Sequence, residues 1–263
     1  MKMAKKSTAV AKRNGDRLPV DLATEMEADA GDGFQDVTTQ DMAIPFLRIL
    51  QSMSPQLNKR DGSYVAGAEE GQIFNTVTGE LWDADKGVNV VPCAFKAKKI
   101  EWRPRDSGGG FVAAHSRDVK IPTEKNDKGK DVMENGNLLV DTTEFYVLIL
   151  SDNGFAEQAV ITMSSTQLKY SRKWITLMAQ QLIDTKEGQK RAPFYSSVYN
   201  MKTMSESNAD GDWSSWDIGL VGHIPDVPTY HTARAFARAV EDGDVEAKHV
   251  APDEGEETTS DVM

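Results

Sequence analysis

The stretch TTEFYVLIL (142–150), the tetrad Ser-Asp-Asn-Gly and the stretch FAEQAVITM (155–163) constrain the fold more than any other part of the chain. Two runs rich in β-branched and aromatic residues flank a turn made of residues that tolerate positive φ, which is a strong antiparallel hairpin signal. A hairpin alone is marginal, so its outer edges need further strands. GVNVVPCAFKAKKIEWRPR (87–105) is a long β-prone run whose Pro92 predicts an edge or a bulge. GQIFNTVTGELW reads as two short strands around Thr78-Gly79, and PFYSSVYNMKTMSE pairs with DWSSWDIGLV around SNADG. Ser164 and Gln167 stand at capping-box spacing and predict a helix over about 165–183. HTARAFARAVEDG predicts a second, amphipathic helix. From residue 88 the strands number five, with a helix between the third and fourth. That order predicts a mainly β fold with α, an OB-fold-like five-stranded barrel flanked by disordered tails.

Order is expected from DMAIPFLRILQSMSP onward, with Ile44, Phe46, Leu47, Ile49 and Leu50 as anchors. Residues 1–41 have few aromatics and no sustained apolar period, and predict a disordered arm. Residues 42–240 form the expected domain. Within it, 106–141 is rich in Gly, Asp, Asn and Lys and reads as a mobile loop that covers a ligand. Residues 241–263 form an acidic, flexible tail. The net charge of −11 is concentrated in the flanks: 16–41 carry −7 and 241–263 carry −8, against +5 in 1–15. The middle is nearly neutral and has room for a basic groove.

Three places carry candidate binding residues. The strand FKAKKIEWRPR gathers Lys96, Lys98, Lys99, Arg103 and Arg105 around Trp102, with Glu101 its only acid. Alternation puts Lys96, Lys98 and Trp102 on one side, and Phe95, Lys99 and Arg103 on the other. A stacking aromatic beside phosphate-binding cations suits single-stranded nucleic acid; the competing reading is an edge strand blunted by lysines. On the helix QLKYSRKWITLM, Lys169, Arg172 and Lys173 share a face. The competing reading there is a solvated helix face, and Trp174 is expected to pack on the barrel. In FYSSVYNMKT, Tyr195 and Tyr199 share a face by alternation and offer a stacking platform, with Lys202 nearby.

Chemistry-bearing motifs are scarce. There is no Walker A loop, DSGGGF lacks dinucleotide-fold spacing, and the four histidines are scattered. NADGDW has Trp213 where a calcium loop requires Gly. The single Cys93 excludes an internal disulfide framework and a cysteine-based zinc site. No apolar run reaches the ~18–20 residues of a membrane span, and the basic N-terminus lacks an apolar signal core. The expectation is a cytoplasmic, non-catalytic protein with no cofactor and no metal. A nuclease would need clustered carboxylates and a divalent ion.

The combination of IPFLRILQSMSPQL, IEWRPR, STQLKYSRKW and the acidic tail resembles the single-stranded DNA-binding proteins of tailed bacteriophages, over roughly residues 42–240. The resemblance implies an OB-fold core that coats unwound DNA during phage replication and recombination. It also implies a tail that contacts replication proteins such as polymerase or helicase, here through Asp253, Glu254, Glu256, Glu257 and Asp261. Such tails often end in an aromatic residue, whereas this one ends in Val262-Met263. Self-association into a homo-oligomer is left open. The alternative is a phage structural or host-directed interaction protein that binds no DNA.

Overall fold

The computed structural model describes residues 20–37, 42–151, 156–208 and 211–249. They belong to two units, Met1–Met42 and Ala43–Met263. In the first, helix α1 spans Val20–Ala28, within the arm read from sequence as unstructured. VDLATEMEA is built mostly of strong helix formers, yet it is too short to display an apolar period.

In the second unit, β1 (Leu47–Ile49), β2 (Ile73–Asn75) and β3 (Leu81–Trp82) form a small antiparallel sheet. There follow β4 (Val88–Trp102), β5 (Phe111–Ser116), β6 (Thr123–Lys125), β7 (Asp131–Met133), β8 (Leu138–Leu150) and β9 (Ala156–Ser164). Helix α2 (Leu168–Ala179) and the hairpin β10 (Leu182–Thr185) and β11 (Gly188–Arg191) come next. β12 (Ser197–Asn208), β13 (Gly211–His223) and helix α3 (Val227–Asp242) complete the unit. β4 to β9 with β12 and β13 make one eight-stranded antiparallel sheet.

The spine of that sheet is the β4–β8 ladder, in register from Val90↔Ile149 to Trp102↔Leu138. A bulge between Pro92 and Ala94 absorbs the proline inside a central strand, which a proline tolerates only with such a break in the ladder. Each spine strand changes partner along its length. β4 pairs with β12 at Val88–Val90 and with β5 at Lys98–Trp102. β8 pairs with β9 from Thr142 to Leu150 and with β7 only at Leu138. The segment 106–141 is therefore not a bare loop: three short strands extend the sheet there.

The closed five-stranded barrel does not form. Among the described residues β9 and β13 are not paired, and the sheet is a curled half-barrel. The space between those two strands is taken by the segment around β1. Phe46 bridges Val160 in parallel, and the Gln51 side chain both donates to the Ser214 carbonyl and accepts from the Ser214 N–H, each at 2.9 Å. The inserted segment therefore satisfies edges that barrel closure would have satisfied.

Both faces of the sheet are covered, which is why β8 reads as an unbroken apolar run. On one face, Phe145, Val147 and Ile149 meet α2, whose Trp174 is fully buried against Phe145 at 4.5 Å and against Tyr199 at 5.8 Å. On the other, Tyr146 and Leu148 meet Ala233, Phe236, Ala237 and Val240 of α3. The expected capping box is absent: Ser164 makes no capping hydrogen bond, and Gln167 instead points to Ser214 and Ser215 of β13. Asp226 caps α3 at the backbone N–H of Thr229, 2.7 Å away. The hairpin β10–β11 takes up residues read from sequence as the last turn of the first helix.

Gly87 admits a direct test of how tightly β4 enters the sheet. Its φ is +67°, and a Cβ there would lie 2.2 Å from the Met201 carbonyl oxygen. Gly87→Ala should destabilise the protein by more than about 1 kcal/mol through left-handed strain alone. A melting temperature within a degree of the parent would show that neither the left-handed strain nor the approach to Met201 is felt in the folded protein.

Candidate functional site

The basic strand keeps the alternation expected of it, but its charges are largely engaged. Lys98 places its ammonium 3.3 Å from Glu144, whose side chain is fully buried. Lys96 lies over the Tyr146 ring at 5.9 Å. Lys99 donates to the Val119 carbonyl at 2.9 Å, on the opposite face. Glu101 accepts from Asn135, Asn137 and His115, and the Asn137 bond is the main reason its carboxyl stays below the usual range. Arg103 is exposed, and Arg105 opens a 3-10 turn, Arg105–Ser107.

Glu144 is the centre of a buried polar group. It accepts from the Tyr146 hydroxyl at 3.0 Å and contacts His249 Nε2 at 2.6 Å. Burial works to raise its pKa, but the His249 hydrogen bond, the Lys98 charge and the Tyr146 hydroxyl outweigh it and hold Glu144 ionised, below the ordinary carboxylate range. A carboxylate only accepts, so His249 Nε2 carries the proton. The same imidazole stacks on Phe111 at 5.5 Å and lies edge-on to Trp102 at 6.3 Å and tilted to Phe46 at 5.8 Å. The Tyr146 hydroxyl also accepts from the Ala247 N–H, and Val245 is buried. Residues 245–249 are thereby strapped onto the sheet.

The helix and the tyrosines behave differently from the sequence expectation. Lys169 is neutralised by Glu206 at 2.5 Å, while Arg172 and Lys173 are exposed. Burial opposes the Glu206 charge, yet Lys169, the Ser215 hydroxyl and Tyr170 hold its pKa down at about 2. Tyr195 and Tyr199 do not share a face. Tyr195 lies in a 3-10 turn ahead of β12 and packs on Tyr230 of α3 at 5.2 Å, whereas Tyr199 is buried against Trp174. A bulge between Val198 and Tyr199 breaks the count of two on which the expectation rests. Neither tyrosine is an open platform. Lys202 is exposed and faces Asp217 across the β12–β13 ladder. The tail residues Asp253, Glu254, Glu256, Glu257 and Asp261 lie outside the described residues, as do most of the tetrad after Leu150 and part of the SNADG turn.

What sequence reasoning missed is a cleft of about 290 Å³ at the edge of β8, where β9 has ended and the β6–β7 hairpin begins. Its cations come from Arg48, Lys125 and Lys130, and its aromatic wall from Phe46, Trp102 and His249. Thr142, Thr162, Ser164 and Ser165 add hydroxyls, and Leu138, Val140 and Leu168 an apolar floor. Asp131 and Asp141 also line it, Asp131 being paired with Lys125 at 2.8 Å. Ser165 holds a φ of +46°, a strained value for a residue with a Cβ, at the rim of the cleft. Arg103 and Arg172 are exposed, but neither lines the cleft. Of the binding residues expected from sequence, only Trp102 lines it. Arg48 sits singly in an apolar run, and Lys125 and Lys130 share a Gly-, Asp- and Asn-rich segment with no aromatic residue beside them.

Among the described residues no three His, Cys, Asp or Glu side chains gather as a metal site. No described helix is long and apolar enough to cross a membrane.

The buried carboxylates set an acid limit on the fold. Glu144 and Glu206 have folded pKa values below their ordinary 4.5, so each contributes stability above that pH. For Glu206 that contribution is lost as pH falls from 4.5 toward about 2. Glu144→Gln should cost about 3–5 kcal/mol at neutral pH, because Lys98 loses its buried counter-charge. It should also flatten the acid limb of the stability profile. Urea denaturation from pH 7 to pH 3 measures both, and a variant as stable as the parent at pH 7 would refute the role given to Glu144.

Comparison with curated proteins and with solved structures found no significant match. The sequence does match one protein family, over residues 12–246, which takes in both the sheet and the residues around the cleft, His249 excepted. The chain belongs to the Pam3 phage gp34-like protein family.

Proposed function

We propose that this phage protein is a non-catalytic single-stranded DNA-binding protein, acting where phage DNA is unwound for replication or recombination. The observation that carries the reading is the convergence on one cleft of cations from separate segments: Arg48 of β1, and Lys125 and Lys130 of the β6–β7 hairpin. Trp102 supplies an aromatic surface within that set. Cations that follow a backbone beside an aromatic that stacks on bases are the ingredients of sequence-tolerant single-strand binding. The strand order β13-β12-β4-β8-β9, with α2 between the third and fourth long strands, supports reading the half-barrel as an OB-type core left open between β9 and β13. Asp131 and Asp141 temper the positive potential, so the affinity rests on few phosphate contacts and on stacking.

A partner-binding reading has one observation in its favour. β13 is an edge strand whose Leu220 and Val221 are 46% and 58% exposed, and such an edge suits pairing with another chain. In that case the chain would be a structural or host-directed interaction protein.

Tryptophan emission titrated with an unstructured DNA oligomer separates the two. Single strands should quench, duplex should not, and affinity should fall with salt with a slope of roughly −0.7 per phosphate contacted. Arg172→Glu should weaken binding without disturbing the fold, since the side chain is exposed. Trp102→Phe should remove most of the quenching. Absence of any response to single strands, with a stable complex formed through Leu220 and Val221, would replace this reading by the second.

A further inference from the structure

We infer that Arg234 and Arg238 of α3, braced by the Tyr195–Tyr230 pair, form a second backbone contact for single-stranded DNA, separate from the cleft. The contact rests on the DNA-binding reading and extends it to the face of the sheet that α3 covers. None of these four residues lines the cleft. Arg234 and Arg238 stand one helical turn apart and so share a face of α3, with His231 on that face one turn earlier. Arg238 and His231 are exposed and Arg234 is half-buried, while Ala233, Phe236, Ala237 and Val240 bury the other side of the helix against the sheet.

Two features set these arginines apart from Lys98 and Lys169. The first is that their charge is not spent inside the protein. Glu241 and Asp242 follow Arg238 within a turn, yet among the described residues neither guanidinium is ion-paired with a carboxylate. Like charges at this spacing repel one another on a helix, and an anion lying between them relieves the repulsion. The second feature is their support. Arg234 lies over the Tyr230 ring at 5.8 Å, and Tyr230 packs on Tyr195 at 5.2 Å. Burial and the neighbouring Tyr230 push the Tyr195 hydroxyl up in pKa, whereas Arg234 and Arg238 draw it down, so both positive charges are felt at that ring. The tyrosines thus brace the arginines and are not themselves a stacking surface. A guanidinium already ordered on a ring loses little freedom when it takes a ligand.

The chemistry of the pair selects the ligand. The planar donor fork of arginine matches a phosphate group, which it can grip with two parallel hydrogen bonds. Residues one turn apart on a helix are about 5–6 Å apart at Cβ, so two such forks can each take one phosphate of the same strand. A nucleic-acid backbone presents an anion at every unit and gains further by releasing its counterions. An acidic peptide offers carboxylates to the same forks but lacks that regular charge. With no aromatic face open beside them, the arginines hold the backbone and read no base.

The test uses the full chain, a labelled oligothymidylate of about 16 nucleotides, the upper end of the site size of one OB-type fold, and polyglutamate of similar length as a rival polyanion. Fluorescence anisotropy over a salt series gives the affinity and its slope. Arg234→Gln/Arg238→Gln should weaken oligomer binding at least about fivefold and reduce the salt slope by about 1.4, two contacts at roughly 0.7 each. Tyr230→Leu should give a smaller loss, because both charges remain but Arg234 is no longer braced. The control Lys59→Gln/Arg60→Gln removes two exposed cations elsewhere and should leave affinity and slope close to those of the parent. Should the α3 double variant melt well below the parent, Arg238→Gln alone, at an exposed position, should give half the change in slope. If the parent binds the oligomer and the α3 variants bind it equally well, this contact falls while the DNA-binding reading stands. Equal losses in the α3 and control variants would mean a diffuse field and overturn the contact too. Polyglutamate bound as tightly as DNA, with the same loss in the α3 variant, would replace the strand by an acidic protein. If the parent binds no oligomer, both readings fall.

Discussion

The β4–β8 ladder is the interaction on which the rest of the structure depends. Its residues alternate between two buried faces: Phe145 and Val147 toward α2, Tyr146 and Leu148 toward α3. A sheet apolar on both faces has to be covered twice, and each helix supplies one cover. Because both spine strands outlast their first partners, each recruits a second. β5 continues where β12 leaves β4, and β7 touches β8 only after β9 has stopped. The gap between β9 and β7 is the cleft. The candidate site is thus a consequence of strand lengths that do not match, rather than of a motif.

Glu144 shows why the basic strand could be read correctly in geometry and wrongly in role. Alternation places Lys96, Lys98 and Trp102 on one side, and the structure has them there, facing Tyr146, Glu144 and His249. What alternation cannot supply is the partner. Lys98 looks like a phosphate ligand until β8 is laid beside it and brings a buried carboxylate within 3.3 Å. Lys169 repeats the lesson, since Glu206 is 37 residues away in the chain and 2.5 Å away in space. Local pattern gives a charge its direction; only long-range pairing says whether that charge is spent.

Other departures have the same root. Counting in twos gives the two tyrosines of FYSSVYN one face, but Tyr195 lies in a 3-10 turn before β12 and a bulge follows at Val198/Tyr199, so Tyr199 enters one core and Tyr195 packs against the other. The Gly, Asp and Asn content of 106–141 predicts a loop. Those residues instead sit in the turns between strands too short to show a period, such as Thr123–Lys125 and Asp131–Met133. Lys125 and Lys130 were hidden with them. Arg48 was hidden by the apolar run around it, which was read only for its anchors. The five long strands, the two long helices and the burial of Trp174 were legible because each extends over enough residues for periodicity to speak.

The wall of the cleft is assembled from distant parts of the second unit. Phe46 and Arg48 come from the segment that fills the open side of the half-barrel, Lys125 and Lys130 from the β6–β7 hairpin, and His249 from the strap beyond α3. None of these segments has a core of its own. Each is held by the sheet: Phe46 through Val160, the hairpin through Leu138, the strap through Tyr146 and Glu144. A site built this way exists only when the whole unit is folded, so ligand that fills it stabilises all of these attachments together by mass action. The buried ion group therefore serves the cleft as well as the fold. By fixing His249 it fixes the aromatic wall, because the same ring packs against Phe111, Trp102 and Phe46.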